Sequence, residues 1–130
     1  TMLPSRHKVV NGRTEPYMLC NSYVGVQTGY RYGTPGQSWR SASSPWFMMA
    51  LVRYVYGLQP EMEGLRIDPC LPPSWENVAI TKMFRGTQYH IRYENHGPRV
   101  KQILVDGKAI DGNILPLTGK KQCAVTVITY

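Results

Sequence analysis

Asp68-Pro69-Cys70-Leu71-Pro72-Pro73-Ser74-Trp75 divides the sequence into two kinds of chemistry. Two adjacent prolines donate no backbone hydrogen bonds and push the residue before them out of the helical region, so no regular element crosses them. On the N-terminal side lie Gly-rich loops and one strongly marked helix. On the C-terminal side β-branched and polar residues alternate between tight-turn signals, which is the pattern of strands. A domain boundary is placed here, with residues 1–75 as one part and residues 76–130 as the other.

Upstream of the prolines, Ser44-Pro45-Trp46-Phe47-Met48-Met49-Ala50-Leu51-Val52-Arg53-Tyr54-Val55-Tyr56-Gly57 reads as a helix. Ser44 offers an N-cap acceptor, Pro45 fits the first turn, and Gly57 permits a left-handed C-terminal residue. Arg53 is its one charge, so the helix is apolar on nearly all sides and calls for burial among other helices that this chain does not supply. Residues 14–24 read as a second, shorter helix, with Thr14 as N-cap, Glu15 and Pro16 in the first turn and Gly25 closing it. Residues 26–40 hold Gly29, Gly33, Pro35 and Gly36 and read as a loop, of a length that usually serves function.

Downstream, strands are expected near 78–84, 88–94, 99–105 and 122–130, with Arg85-Gly86 and Asp106-Gly107 as turns. In the last of these, Val125, Val127 and Thr129 alternate with Thr126 and Ile128, which gives the strand a buried face.

The net charge of +7 favours an anionic partner, but the fifteen Lys and Arg residues are scattered and form no stripe, which excludes a nucleic-acid footprint and suits a small anion better. The three cysteines, Cys20, Cys70 and Cys123, fit neither a disulfide framework nor a zinc pattern and read as reduced thiols of a cytoplasmic protein. His7, His90 and His96 lack metal-ligand spacing, so no metal is expected. No apolar run reaches the length of a membrane span.

The segment Gln37-Ser38-Trp39-Arg40-Ser41-Ala42-Ser43-Ser44 gathers hydroxyls, small residues and an arginine where the positive end of a helix dipole lies. That is a setting for phosphate, against which stands the plainer reading that its serines only cap the helix. Tyr17, Tyr23, Tyr30, Tyr32, Trp39 and Trp46 lie in or beside the long loop, where aromatic faces can carry sugar rings while Asn21, Gln27 and Gln37 bind hydroxyls. Packing is the alternative for all six, and the preferred one for Trp46. No pair of carboxylates faces a cleft as hydrolysis requires: Glu61, Glu63 and Asp68 sit in a connector, in surface or turn roles.

Glu15-Pro16-Tyr17, Ser38-Trp39, Tyr56-Gly57-Leu58-Gln59-Pro60, the run from Gly64 to Trp75, and Phe84-Arg85-Gly86-Thr87-Gln88-Tyr89-His90-Ile91 resemble the C-terminal signature of glycoside hydrolase family 94. The resemblance covers roughly residues 13–95. It implies an α+β segment: the last helices of an (α/α)6 barrel in residues 1–75, then a C-terminal antiparallel, jelly-roll-like β-sandwich in residues 76–130. It further implies an inverting phosphorylase that cleaves β-linked gluco-oligosaccharides with inorganic phosphate as co-substrate and no cofactor, in a homodimeric parent.

On this resemblance Ser41 and Ala42 stand in the place of a Thr-Gly pair that binds phosphate, through a hydroxyl and a backbone N–H, with Arg40 as an auxiliary anion contact. Asn21 stands where a glutamine usually touches the donor sugar, and Glu15 and Tyr17 join it as sugar-binding residues. The catalytic acid belongs upstream, so none of the catalytic residues is in this chain and the chain alone is expected to be inactive. Two other readings stand beside this one: a non-catalytic carbohydrate-binding or structural β-sandwich, and the terminal module of a cyclic β-1,2-glucan synthase, which would put the parent at a membrane.

Overall fold

A computed structural model of the chain describes residues 18–36 and 42–130. It divides into two compact units, Thr1–Met49 and Ala50–Tyr130.

In the first unit, strand β1 (Ser22–Tyr23) pairs antiparallel with β2 (Pro35–Gly36) in the register Ser22↔Gly36 and Tyr23↔Pro35. Between them Val26–Arg31 form two short 3-10 turns on either side of Gly29, whose φ of +61° breaks the helix. The loop is closed by Val24 N–H to the Thr34 carbonyl at 3.0 Å and Gly33 N–H to the Val24 carbonyl at 2.9 Å. The helix expected over 14–24 is therefore absent from its described part, since residues 18–24 are extended or bent. Tertiary pairing with β2 outweighs the weak cap signals there; residues 14–17 lie outside the described residues.

Helix α1 (Ser43–Ala50) starts two residues earlier than expected. The Ala42 carbonyl accepts the first helical bond, from Trp46 N–H at 3.1 Å, so Ala42 rather than Ser44 holds the cap position and Pro45 sits in the first turn, where its missing donor costs nothing. None of the α1 residues is buried, and Trp46, read from sequence as a packing residue, is 64% exposed.

The second unit opens with a π-helical turn, Leu51–Val55. A helix end leaves its last carbonyls without partners, and three at this end are captured. Cys70 N–H reaches Val55 O at 3.0 Å, the Tyr93 hydroxyl reaches Tyr56 O at 2.7 Å, and Asp68 N–H reaches Gly57 O at 2.9 Å. Gly57 has the left-handed conformation expected of it, with φ of +70°.

The strands β3 (Leu58–Pro60), β4 (Gly64–Ile67), β5 (Asn77–Phe84), β6 (Thr87–Glu94), β7 (Val100–Val105), β8 (Lys108–Ile110), β9 (Ile114–Pro116) and β10 (Gln122–Thr129) follow. They form a three-stranded sheet of order β3-β4-β9 and a five-stranded sheet of order β5-β6-β10-β7-β8. The expected strands at 78–84, 88–94, 99–105 and 122–130 are all present. So are both hairpin turns: Arg85, Gly86, Asp106 and Gly107 all have positive φ, which matches the right-handed twist of the flanking strands.

The five-stranded sheet is mixed rather than antiparallel throughout, because β10 runs parallel to β6 and antiparallel to β7. A parallel pair needs a long crossover, and residues 95–121 supply one by building β7, β8 and β9 on the way. One buried core joins the sheets: Leu58, Leu65, Ile67 and Leu115 from the smaller meet Tyr89, Ile91, Tyr93, Ile103, Cys123, Val125 and Val127 from the larger. Since β3 and β4 contribute to this core and pair with β9, residues 58–67 stand with the strands that follow the prolines. The unit is thus mostly β, in an arrangement consistent with a β-sandwich.

A buried asparagine ties the ends of this unit together. Asn95 Nδ2 donates to the carbonyls of Pro72 and Trp75 at 3.0 and 3.1 Å, and its Oδ1 accepts the Thr129 hydroxyl at 3.1 Å. Thr129 Oγ1 in turn accepts the backbone N–H groups of His96 and Gly97.

Candidate functional site

Of the six residues read from sequence as phosphate- or sugar-binding, Glu15, Tyr17, Arg40 and Ser41 lie outside the described residues; Asn21 and Ala42 lie within them, in the first unit. Asn21 is exposed in the bend that leads into β1. The Ser22↔Gly36 pair sets the Asn21 end of β1 beside the point where the chain leaves β2 for Gln37. The ladder thereby brings the candidate sugar contact near Gly36, fifteen positions further along the sequence. Gly36 allows this closeness, because a Cβ there would stand 2.8 Å from Ser22 Oγ.

Ala42 is exposed and stands at the N-terminus of α1. Its carbonyl faces into the helix, and its own N–H belongs to the end where the dipole favours negative charge. Arginine and hydroxyl at 40 and 41 precede it in sequence.

The aromatic residues of the loop separate into roles. Tyr32 is exposed, while Tyr23 is half-buried. Burial, followed by a hydrogen bond with the Cys20 thiol, pushes the Tyr23 phenol up to about 12, so it stays a neutral hydroxyl at any physiological pH. Tyr30 has no described side chain, and Trp39 lies outside the described residues.

Two carboxylates of the second unit, Glu61 and Asp106, are committed to pairs. Glu61 accepts a two-point hydrogen bond from Arg66, through Nε to Oε1 and Nη2 to Oε2, the latter at 2.9 Å. Asp106 accepts Lys120 Nζ at 2.6 Å and Ala124 N–H at 3.0 Å. Each is a turn residue holding its own strand connection, as the sequence reading had it for Glu61. Arg85 adds to the first cluster by donating to the carbonyls of Met62 and Glu61 at 2.8 and 3.2 Å, its guanidinium lying 5.2 Å from the centre of the Phe84 ring.

These pairs set an acid limit. Hydrogen bonds from Arg66 hold the Glu61 carboxyl below its ordinary range, and hydrogen bonds from Lys120 and then Ala124 do the same for Asp106. A carboxyl depressed on folding contributes stability above its unfolded pKa, near about 4, and loses it as pH falls through the folded value. The melting temperature is therefore expected to drop as the pH is lowered below about 4, and Asp106→Asn to remove part of that slope in a pH series of thermal melts.

Among the described residues no group of three His, Cys, Asp or Glu side chains is placed to hold a metal ion. No helix among them is long and apolar enough to cross a membrane.

Residues 58–111 match the family model described as glycosyl hydrolase family 65, C-terminal domain. That span contains both the Gly64–Trp75 run and the Phe84–Ile91 run. The chain is 31% identical over 108 residues to solabiose phosphorylase of Paenibacillus borealis, covering 81% of this chain and 14% of that protein. It is 32% identical over 117 residues to N,N'-diacetylchitobiose phosphorylase of Vibrio proteolyticus, covering 88% of this chain and 14% of that protein. A 3-O-beta-D-glucopyranosyl-beta-D-glucuronide phosphorylase of Paenibacillus borealis is 26% identical over 120 residues, 90% of this chain and 16% of that protein. The chain is a C-terminal segment similar to that of the glycoside hydrolase family 94 phosphorylases. It spans about a seventh of the length of the first two relatives, at 14% of each.

Proposed function

We propose that this chain is the C-terminal part of an inverting phosphorylase that cleaves β-linked gluco-oligosaccharides with inorganic phosphate and releases a sugar 1-phosphate. The observation that carries the reading is the extent of the likeness. An alignment covering 88% of the chain is longer than the second unit alone, so the similarity to a phosphorylase runs through the first unit as well. A free-standing sugar-binding sandwich would have no use for α1, whose apolar side chains lie exposed here.

In this reading the residues before Leu58 come from the end of an (α/α)6 barrel, and residues 58–130 finish a jelly-roll-like sandwich of a cytoplasmic, homodimeric enzyme. Phosphate attacks the anomeric carbon while an acid outside this chain protonates the glycosidic oxygen, so a second carboxylate is not required. Ser41 donates its hydroxyl and Ala42 its N–H to the phosphate, with Arg40 beside them; Asn21, Glu15 and Tyr17 hold the donor sugar. No cofactor takes part.

The reading is tested by assaying the full-length protein on a panel of β-linked disaccharides, with and without phosphate, for sugar 1-phosphate. Hydrolysis without a phosphate requirement would overturn it. In that protein Ser41→Ala removes one hydrogen bond to a charged ligand, worth about 1.5 to 3 kcal/mol, so kcat/KM for phosphate is expected to fall roughly tenfold to hundredfold. Ser41→Thr is expected to keep most activity. Disaccharide binding in the absence of phosphate should be unaffected in both variants.

A further inference from the structure

The second unit carries an open groove of about 640 Å³ lined by Tyr56, Ser74, Trp75, Glu76 and the first residues of β5. Its floor is aromatic. Trp75 stands with its ring centre 6.2 Å from that of Tyr56, the planes inclined at 42°, and Tyr56 lies 6.1 Å from the buried ring of Tyr93. Trp75 nevertheless remains 38% exposed, and Glu76 and Asn77 beside it are exposed.

The backbone under these side chains is fixed from below. Trp75 N–H donates to the Pro72 carbonyl at 2.9 Å, and the Trp75 and Glu76 carbonyls accept the side chain and the backbone N–H of Asn95 at 3.1 and 2.8 Å. An indole face, a carboxylate and an amide thus stand on a fixed backbone while none of their side-chain polar atoms has a hydrogen-bond partner among the described residues. A sugar ring needs such a combination: an apolar face for its C–H groups, and acceptors and donors at the rim for its hydroxyls. The groove volume falls within the range of small-ligand sites, about 300 to 1,000 Å³.

We propose that this groove is a carbohydrate-binding subsite for a short neutral glycan, with Trp75 as the stacking platform and Glu76 and Asn77 reading hydroxyls. The Glu76 charge disfavours a uronic acid at the same place. The proposal goes beyond the phosphorylase reading and does not depend on it, since its residues all lie within Ala50–Tyr130 and neither phosphate nor the acid takes part.

The test is a titration of the isotope-labelled full chain with cellotetraose, followed by amide and indole chemical shifts. Saturable shifts confined to residues 56 and 74–79 are expected, with a Kd of about 1 mM or weaker, as befits one stacked ring in an open groove. Trp75→Ala is expected to weaken binding at least tenfold, Trp75→Phe to retain part of it, and Glu76→Gln to weaken binding with an unchanged melting temperature. Shifts that persist undiminished in Trp75→Ala, or no shifts with the wild-type chain, would overturn the proposal. So would shifts of residues 74–79 that follow protein concentration without sugar, which would mark the groove as a contact between copies of the chain.

Discussion

Asn95→Ala is expected to destabilise the second unit by about 2 to 4 kcal/mol, a fall in melting temperature of roughly 10 to 25 °C for a unit of this size. The residue is 6% exposed, and its truncation leaves the Trp75 carbonyl without a donor, the Pro72 carbonyl with Trp75 N–H alone, and the Thr129 hydroxyl without its acceptor. Burial makes each loss cost more than a surface hydrogen bond would. Asn95→Asp separates this account from a packing effect, because the two side chains have nearly the same shape. A carboxylate cannot donate to two carbonyls, so the charged form is disfavoured and its folded pKa lies above the unfolded value. The variant is then least deficient below about pH 4 and loses further stability as pH rises through the folded pKa. A deficit relative to wild type that did not grow with pH would reject the network as its cause.

How much of this was legible in the sequence depends on the length and period of each element. The strands of eight residues, β5, β6 and β10, show two-residue alternation over a span long enough to read, and the Arg85-Gly86 turn marks the β5–β6 hairpin as Asp106-Gly107 marks that of β7 and β8. The short strands β3, β4, β8 and β9 have three or four residues each, too few for a period, and two of them end in proline. The pairing of β4 with β9 joins residues about fifty positions apart, such as Leu65 with Leu115, which no local window contains. The parallel pairing of β10 with β6 was hidden for the same reason.

The candidate site divides along similar lines. Ser41, Ala42, Arg40, Asn21, Glu15 and Tyr17 came from motif resemblance, and of these the described residues locate only Asn21 and Ala42. The ladder between β1 and β2 that follows Asn21 carried no readable signal, being two residues long. Trp75 was visible as the end of a motif but not as part of a groove. Its partner Tyr56 lies nineteen positions away, across the connector that folds back as β3 and β4.

That fold-back rests on Gly57, and Gly57→Ala is expected to cost about 3 to 5 kcal/mol. The left-handed φ of +70° is one part, a strain of about 1 to 2 kcal/mol for a residue with a Cβ. The larger part is space, for the added methyl would overlap the carbonyl of Asp68 and the nitrogen of Pro69, both backbone groups that cannot rotate aside. Relief requires β3 and the residues after β4 to part, which breaks the Asp68 N–H bond to Gly57 O and loosens the Tyr93 hydroxyl from Tyr56 O. Tyr93 makes that second loss measurable. Its phenol is pushed far above its ordinary range chiefly by burial, so it does not ionise while the unit is folded. In Gly57→Ala the ultraviolet titration of tyrosines at alkaline pH should show one more phenol ionising near the usual value of about 10 than in wild type. A variant that melted within about 1 kcal/mol of wild type and kept Tyr93 protected would mean that the chain can shift around the added methyl. The three captured carbonyls at 55, 56 and 57 would then not be what fixes the turn.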